Sequence, residues 1–180
     1  MKRRDFLVSA IAAVAASSAS ANAVPITYQP QLVDLTTSQR AGVIHVNTDQ
    51  RFLYLTLGGT QAIRYGVAVG AAGRAFKGQA TIRRKVEWPS WTPTTNMIRQ
   101  EPNVYGPYRA GLPGGHPENP MGARGLYLYR GNRDTMFRIH GTHQPWTIGQ
   151  SFSSGCIRLH NDHIADLYAR VPIGTRVIVT

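Results

Sequence analysis

The residues of this sequence best suited to covalent chemistry are one cysteine and a histidine that precedes it. His140 is followed by Gly141 and Thr142, and Cys156 lies in the run Ser153-Ser154-Gly155-Cys156-Ile157-Arg158. A thiol nucleophile needs an imidazole to take its proton and backbone N–H groups to bind the developing oxyanion. A glycine directly before the cysteine permits a sharp turn that exposes such groups. The pattern indicates cysteine catalysis, although a structural histidine beside an ordinary turn would give the same residues.

A metal site is the competing interpretation of the same region. His140-x-x-His143 and His160-x-x-His163 flank Cys156, and zinc accepts cysteine and histidine ligands. The first pair falls at a predicted strand end and the second near a predicted helix start, so neither has a spacing typical of zinc sites. We therefore expect no metal and no other cofactor, and the roles of these three additional histidines stay open.

The first 23 residues have the layout of a cleavable signal peptide. Lys2-Arg3-Arg4 form a positive head, residues 7–16 are apolar, and Ala21-Asn22-Ala23 fits a cleavage site. The paired arginines before Asp5-Phe6-Leu7 resemble a twin-arginine export signal. An apolar run of about ten residues is too short to span a bilayer, so we expect no stable membrane anchor. These features predict an exported protein of the periplasm or cell envelope.

Export makes the single cysteine more informative. Exported proteins that use cysteines for stability use them in pairs, and Cys156 has no second cysteine in the chain to pair with. An unpaired thiol in an oxidising compartment is exposed to oxidation. Two interpretations remain from the residues alone, an inert buried cysteine and a working nucleophile.

The chain is strongly basic. Its formal net charge is +11, and about +9 remains without residues 1–23, which carry three basic side chains and one acidic one. Arginine forks match carboxylates and phosphates, so an anionic envelope polymer is a fitting partner, although solubility explains the charge equally well. We expect no nucleic acid, because the sequence has no recognisable motif for it and the signal leads to export.

The pattern of apolar residues predicts a mainly β protein. Residues 24–40 are predicted as an extended lead-in and residues 41–180 as one domain. One amphipathic helix is predicted over residues 162–170, with Asn161 or Asp162 as its N-cap. Residues 89–122 are rich in proline and glycine and predict an ordered active-site loop with a short helix near residues 97–101. The predicted strands cover residues 43–46, 52–55, 63–69, 82–87, 126–129, 136–140 and 177–179.

Several spaced motifs resemble those of the YkuD-like L,D-transpeptidases. The central ones are Ile139-His140-Gly141-Thr142, Ile148-Gly149 and the run from Ser153 through Leu159. Others are Asn119-Pro120-Met121-Gly122-Ala123-Arg124, residues 89–94 and residues 167–177. The resemblance covers about residues 43–180. It implies a β-sandwich of that family, with one short C-terminal helix and the cysteine in a cleft beneath the long loop.

The resemblance also implies roles for single residues. Cys156 would attack the meso-diaminopimelyl–D-Ala amide of a peptidoglycan stem peptide, with His140 as base and the Gly141 carbonyl orienting the imidazole. The N–H groups of Ser154, Gly155 and Cys156 would form the oxyanion hole. We take Arg158, Ser153 and Tyr129 as candidate substrate-binding residues, with support of the loop as the alternative role of Arg158. Ser154 stands where many relatives carry histidine, and His143 stands where relatives often carry asparagine.

The acyl acceptor is left open by the sequence. A diaminopimelate amine would give a 3→3 cross-link, the lysine of an envelope lipoprotein would give protein anchoring, and water would make the protein an L,D-carboxypeptidase. A non-catalytic wall-binding module is a further alternative, in which the pairing of Cys156 with His140 would be accidental.

Overall fold

The computed structural model describes residues 24–71 and 73–180, so the predicted signal segment 1–23 lies outside the described residues. Within those residues the chain forms ten strands. They are β1 Gln31–Gln39, β2 Val43–Asn47, β3 Phe52–Gly66, β4 Val69–Gly70, β5 Gly78–Glu87, β6 Arg124–Arg130, β7 Arg133–His140, β8 Ser151–Ser153, β9 Ile157–Arg158 and β10 Arg176–Val179.

The helices are short, and fewer residues lie in helices than in strands. The α-helices of the described chain are α1 Thr95–Gln100, α2 Pro102–Tyr105 and α3 Asn161–Arg170, and single 3₁₀ turns lie at Ile26–Tyr28, Gly106–Tyr108 and Pro145–Thr147. None of the helices in the described ranges is long and apolar enough to cross a bilayer.

Eight strands form one mixed sheet in the order β1-β3-β2-β10-β5-β6-β7-β9, and β4 pairs with β8 in a small second sheet. The C-terminal strand β10 lies inside the large sheet, parallel to β2 and antiparallel to β5. At the far edge β7 and β9 run parallel, with Ile139 opposite Ile157 and His140 opposite Arg158. This last pairing brings the predicted histidine and the segment after the predicted nucleophile side by side.

One apolar core lies beneath the sheet. Strand β2 shows the alternation that builds it, because Ile44 and Val46 are buried while their neighbours are partly exposed. Both sheets and α3 contribute to it, including Val69 of β4 and Leu167 of α3. The prediction of a mainly β fold is confirmed.

The lead-in is more structured than the sequence predicted. Residues 31–39 form β1, an edge strand that pairs antiparallel with the second half of β3. Its outward side chains are exposed, including Leu32 at 62%. An edge strand with one poorly buried face carries little hydrophobic alternation, and this hides it in the sequence.

The strands predicted over residues 52–55 and 63–69 are joined in the structure. Strand β3 runs through Gly58 and Gly59, whose φ angles are +102° and +59°. The register between β1 and β3 shifts in this region, so the glycines form a bulge inside one strand. The glycine pair that predicted a turn between two strands therefore marks a bulge within one strand.

The long loop is ordered and contains two helices. Thr94 caps α1 by accepting a hydrogen bond from the Met97 N–H, and Trp91 exchanges backbone hydrogen bonds of 2.9 and 2.7 Å with Leu112. Asn119 closes the base of the loop, since its side-chain amide donates to the carbonyls of Pro89 and Pro113. The prediction of an ordered loop is borne out by these contacts, and its short helix begins two residues before the predicted start.

Helix α3 lies where it was predicted, with a different cap. Its N-cap is His160, whose Nδ1 accepts a hydrogen bond from the Asp162 N–H at 3.3 Å. Asn161, one of the two predicted caps, is instead the first residue of the helix. Its side-chain oxygen accepts hydrogen bonds from N–H groups outside the helix.

Candidate active site

The predicted nucleophile and base line one cleft. Cys156 and His140 both contribute to a cleft of about 1030 Å³, together with Ser154 and Arg158. Strand β7 ends at His140, and Cys156 directly precedes β9, so the parallel pairing of these strands sets the two side chains near each other along one edge of the sheet. The long loop supplies the opposite wall.

The histidine is buried and held by backbone. His140 is 3% exposed, and its Nδ1 lies 2.6 Å from the Gly141 carbonyl oxygen. A carbonyl can only accept, so Nδ1 carries the proton and Nε2 keeps its lone pair. The Met121 carbonyl is a second backbone contact of the ring. Burial, and next the positive charge of Arg158, lower the pKa of His140 to about 3, so the resting imidazole is neutral.

The cysteine is half-buried, and opposing influences act on its thiol. Burial raises the pKa of Cys156, while a hydrogen bond from the Arg138 backbone and the charges of Arg138 and Arg158 lower it. Burial is the largest of these effects, so the resting thiol is neutral as well. The two cations and the N–H group oppose that effect because they favour the thiolate over the thiol.

The turn before the cysteine is tied together by one serine. Ser153 is 1% exposed, and its hydroxyl donates to the Cys156 carbonyl at 2.5 Å and accepts from the Gly155 N–H at 3.1 Å. Gly155 has a φ of +134°. The structure therefore places Ser153 inside the turn rather than on the cleft wall, and one predicted oxyanion-hole N–H already has a partner.

The other predicted substrate-binding residues differ in position. Arg158 lines the cleft beside Gln144, with Nη1 3.5 Å from its side-chain oxygen, and burial lowers the pKa of Arg158. Tyr129 lies on β6 opposite Thr81 and Asp134 and is not part of the cleft lining in the described chain. Tyr127 lines the cleft instead.

The register between β6 and β7 shifts between the two tyrosines. Tyr127 pairs with Arg138 and Tyr129 pairs with Asp134, so β7 uses two more residues than β6 over the same stretch. Met136 lies in this bulge of β7 with a φ of +64°. Tyr127 and Tyr129 are two residues apart and share a face of β6, and of the two it is Tyr127 that lines the cleft.

The three remaining histidines have separate surroundings. His143 lines the main cleft and also a neighbouring cavity of about 240 Å³ that includes Trp88 and His116. His160 caps α3, and His163 Nε2 lies 3.1 Å from the side-chain oxygen of Gln29. Over residues 24–71 and 73–180, no three His, Cys, Asp or Glu side chains are grouped so that they could hold a metal ion.

Two features of the site were not recognised in the sequence. Helix α2 of the long loop reaches the turn that carries Cys156, because the Tyr105 hydroxyl lies 3.1 Å from that of Ser154. Asn161 contacts the segment after His140, where its side-chain oxygen accepts from the Thr142 N–H at 3.2 Å. Asn161 was noticed only as a helix start, and Tyr105 stands in a stretch without a periodic pattern.

Comparison with protein families gives a match to most of the chain. Residues 41–179 match the model of the YkuD family, described as an L,D-transpeptidase catalytic domain. Similar proteins of Escherichia coli K12 include the probable L,D-transpeptidases ErfK/SrfK, 36% identical over 150 residues, and YbiS, 33% identical over 150 residues. Each match covers 82% of this chain, and 46% and 47% of the two relatives. The chain thus spans about half the length of the curated relatives it matches.

Solved structures show the same fold. One from Brucella melitensis, named a probable carnitine operon oxidoreductase caia, is 48% identical with a TM-score of 0.59, and the match covers 88% of this chain and 98% of that one. An L,D-transpeptidase from Mycobacterium smegmatis is 17% identical with a TM-score of 0.56, and the match covers 77% of this chain and 58% of that one.

Proposed function

Because the chain belongs to the YkuD family of L,D-transpeptidase catalytic domains, we propose that it is an L,D-transpeptidase of peptidoglycan with Cys156 as nucleophile and His140 as base. The observation that carries this proposal is that both side chains line one cleft, with His140 Nδ1 held by the Gly141 carbonyl. That hydrogen bond leaves Nε2 as the basic nitrogen, and a base oriented by a third group is the arrangement that nucleophilic catalysis requires.

In the first step the thiol proton of Cys156 passes to His140 Nε2 and the sulfur attacks the carbonyl of the diaminopimelyl–D-Ala amide. The C–N bond then breaks, and the departing D-Ala amine takes the proton back from the imidazolium. The product is a thioester between Cys156 and the shortened stem peptide. Both groups are neutral at rest, so the proton passes from Cys156 to His140 only when substrate is bound. The charges of Arg138 and Arg158 stabilise the thiolate that this transfer forms.

In the second step an amine attacks the thioester. His140 removes the proton of the amine, a new amide bond forms as the C–S bond of the thioester breaks, and the Cys156 sulfur takes the proton back from the imidazolium. A diaminopimelate amine gives a 3→3 cross-link and a lipoprotein lysine gives an anchored protein. The long loop, with α1 and α2, lines one wall of the cleft, and a loop that kept water from the thioester would favour an amine over hydrolysis.

The oxyanion would be bound by backbone N–H groups of the turn at residues 154–156. The Gly155 N–H donates to the Ser153 hydroxyl in the resting structure, so it must be shared with that hydroxyl or released when the oxyanion forms. The N–H groups of Ser154 and Cys156 complete the proposed hole. Donors that a turn already holds in place need little reorganisation during the reaction, and here the change is confined to the Gly155 N–H.

Substrate charge and location complete the proposal. The stem peptide carries carboxylates, and Arg158 at the cleft wall is suited to bind one of them, since its guanidinium forks match carboxylate geometry. We propose that residues 1–23 direct export by a twin-arginine-type signal to the periplasm or cell envelope, where this substrate is found.

The decisive experiment incubates the exported form of the protein with a disaccharide-tetrapeptide and resolves the products by mass. Loss of D-Ala with formation of a cross-linked dimer supports the transpeptidase, and loss of D-Ala alone supports the L,D-carboxypeptidase. A Cys156→Ala variant should do neither. If folded wild-type protein leaves the tetrapeptide unchanged and the Cys156→Ala variant retains full biological effect, the protein is a non-catalytic wall-binding module.

A further inference from the structure

A single side-chain oxygen connects three separate segments at the candidate site. Asn161 Oδ1 accepts hydrogen bonds from the Ala123 N–H at 3.0 Å and from the Thr142 N–H at 3.2 Å. Asn161 itself begins α3. The loop before β6, the segment after β7 and the start of α3 therefore meet at one carbonyl-type acceptor.

The bond to Thr142 acts on the peptide group that holds the base. The Thr142 N–H and the Gly141 carbonyl belong to the same planar peptide group, and they point in opposite directions because the peptide is trans. The carbonyl faces His140 Nδ1 at 2.6 Å and the N–H faces Asn161 Oδ1. Both edges of the plane are thus fixed, and hydrogen bonds in such a chain polarise and strengthen one another.

The second bond acts on the other backbone contact of the imidazole. Ala123 follows Met121 by two residues, and the Met121 carbonyl contacts the His140 ring. By holding the Ala123 N–H, Asn161 also fixes the segment that presents this carbonyl. The two backbone groups that contact the ring therefore both lie in segments bonded to one oxygen.

Glycines at two motif positions make room for this oxygen. A Cβ atom added at Gly122 or at Gly141 would collide with Asn161 Oδ1. At Gly141 the added atom would also lie 2.8 Å from the Ala123 nitrogen. The close approach of three backbone segments around Asn161 is thus possible only without side chains at these two positions.

The side chain of Asn161 does not cap helix α3. The N-cap of α3 is His160, whose ring accepts from the Asp162 N–H. The oxygen of Asn161 instead accepts from two N–H groups outside the helix.

We propose that Asn161 is a positioning residue for the base, acting through the Gly141–Thr142 peptide group on the orientation and tautomer of His140. This inference rests on the proposed function of Cys156 and His140. Asn161 touches neither the thiol nor the substrate in this account. It supplies the outer support that a carboxylate gives to the histidine of other nucleophilic sites, with a peptide group in between.

The test compares three variants of the full exported protein with wild type. Asn161→Ala removes the acceptor, Asn161→Asp keeps an acceptor oxygen at the same place, and Asp162→Ala is the matched control, because Asp162 is the next residue and its side chain is 90% exposed. Release of D-Ala from a disaccharide-tetrapeptide is measured from pH 2.5 to pH 9, a range that includes the pKa of about 3 of His140, and the thermal unfolding midpoint shows whether each variant is folded at each pH.

For Asn161→Ala we expect kcat to fall by about 10- to 100-fold with KM unchanged, as when other supports of a working histidine are removed. For Asn161→Asp we expect kcat within about 3-fold of wild type and an acid limb moved to higher pH, because a carboxylate favours the imidazolium. Asp162→Ala should match wild type. Equal kcat values for Asn161→Ala and Asp162→Ala overturn the proposal.

A further measurement separates this proposal from the proposed function. The rate at which iodoacetamide alkylates Cys156 needs no peptide substrate. If wild-type protein releases no D-Ala, the function fails, and Asn161 is still judged by whether Asn161→Ala alkylates as slowly as His140→Ala. If Asn161→Ala does not fold, Asn161→Asp decides, since a folded variant with a kcat 10-fold lower than wild type would overturn the proposal.

Discussion

The Tyr105 hydroxyl lies 3.1 Å from the Ser154 hydroxyl, so helix α2 of the long loop is bonded to the turn that carries Cys156. A second contact holds the same loop, because Glu101 of the loop forms an ion pair of 3.2 Å with Arg74, which lies between β4 and β5. The wall of the cleft and the turn that carries Cys156 are therefore joined across the opening. A peptide that enters between them must compete with these contacts.

Replacement of Tyr105 by phenylalanine should loosen the loop without disturbing the core. The lost hydrogen bond is solvent-exposed and worth about 0.5–1 kcal/mol, which corresponds to about 2- to 5-fold more of the open loop. Trypsin should then cleave faster after Arg99 or Arg109, which lie within the loop. Ser154→Ala should have the same effect, and the double variant should add nothing further. Tyr54→Phe on β3 is the matched control, and additive effects of the two loop substitutions would contradict the bond.

Gly155→Ala should destabilise the protein more than an alanine at another glycine of positive φ whose surroundings are open. The φ of Gly155 is +134°, and an added Cβ would lie 2.5 Å from the Phe137 ring and 2.7 Å from the Arg74 carbonyl. Backbone strain and overpacking together predict a loss of about 2–4 kcal/mol in the free energy of unfolding. Gly131→Ala is the control, because its φ is +57° and an added Cβ meets open space. Equal losses in urea denaturation would argue against a packed nucleophile turn.

The sequence predicted the parts of the fold that bury apolar side chains. Strand β7 and helix α3 fall where their periodic patterns placed them, because one face of each is packed into the core. Strand β1 was not predicted, because it lies at the edge of the sheet. Strand β3 was predicted as two strands, because the sequence Gly58-Gly59 is typical of a turn. A local pattern of apolar residues indicates which side chains are buried, whereas an edge strand or a bulge depends on how a strand pairs with its neighbour.

At the candidate site, residue types and the family resemblance predicted Cys156 and His140, which line one cleft, but not the residues that contact them. Ser153 was expected to face substrate, and the structure places its hydroxyl within the turn. Tyr129 was predicted to bind substrate, whereas Tyr127, two residues earlier on β6, lines the cleft. The role of Asn161 depends on three segments that are far apart in the chain. Contacts of this kind are set by tertiary packing, and a one-dimensional spacing carries no trace of them.

The charge of Arg158 should control the ionisation of the thiol. Burial raises the pKa of Cys156, so the rate of alkylation by iodoacetamide should reach half its maximum above pH 8.5, the ordinary value for a thiol. Arg158→Gln removes a cation that lowers this pKa and should move the midpoint to still higher pH. Arg158→Lys keeps the charge and serves as control. Cys156 is the only cysteine, so all thiol labelling reports on it. A wild-type midpoint below pH 8, or no shift in Arg158→Gln, would contradict this account.

The stability of the protein should fall in acid because of His163. Burial, and next the neighbouring His160, lower the pKa of His163 to about 4 in the folded protein, against about 6.5 in the unfolded chain. Between these values the unfolded chain binds a proton that the folded one does not, so the free energy of unfolding decreases as pH falls from 6.5 to 4. The slope from this residue is up to about 1.4 kcal/mol per pH unit. His163→Gln removes this titration and should make the curve of unfolding free energy less steep over that window, while the curves run parallel above pH 7. Buried His140, with its pKa of about 3, should keep a decline in both proteins from pH 6.5 down to about pH 3. Curves that are parallel from pH 4 to 6.5 would show that His163 titrates alike in the folded and unfolded chains.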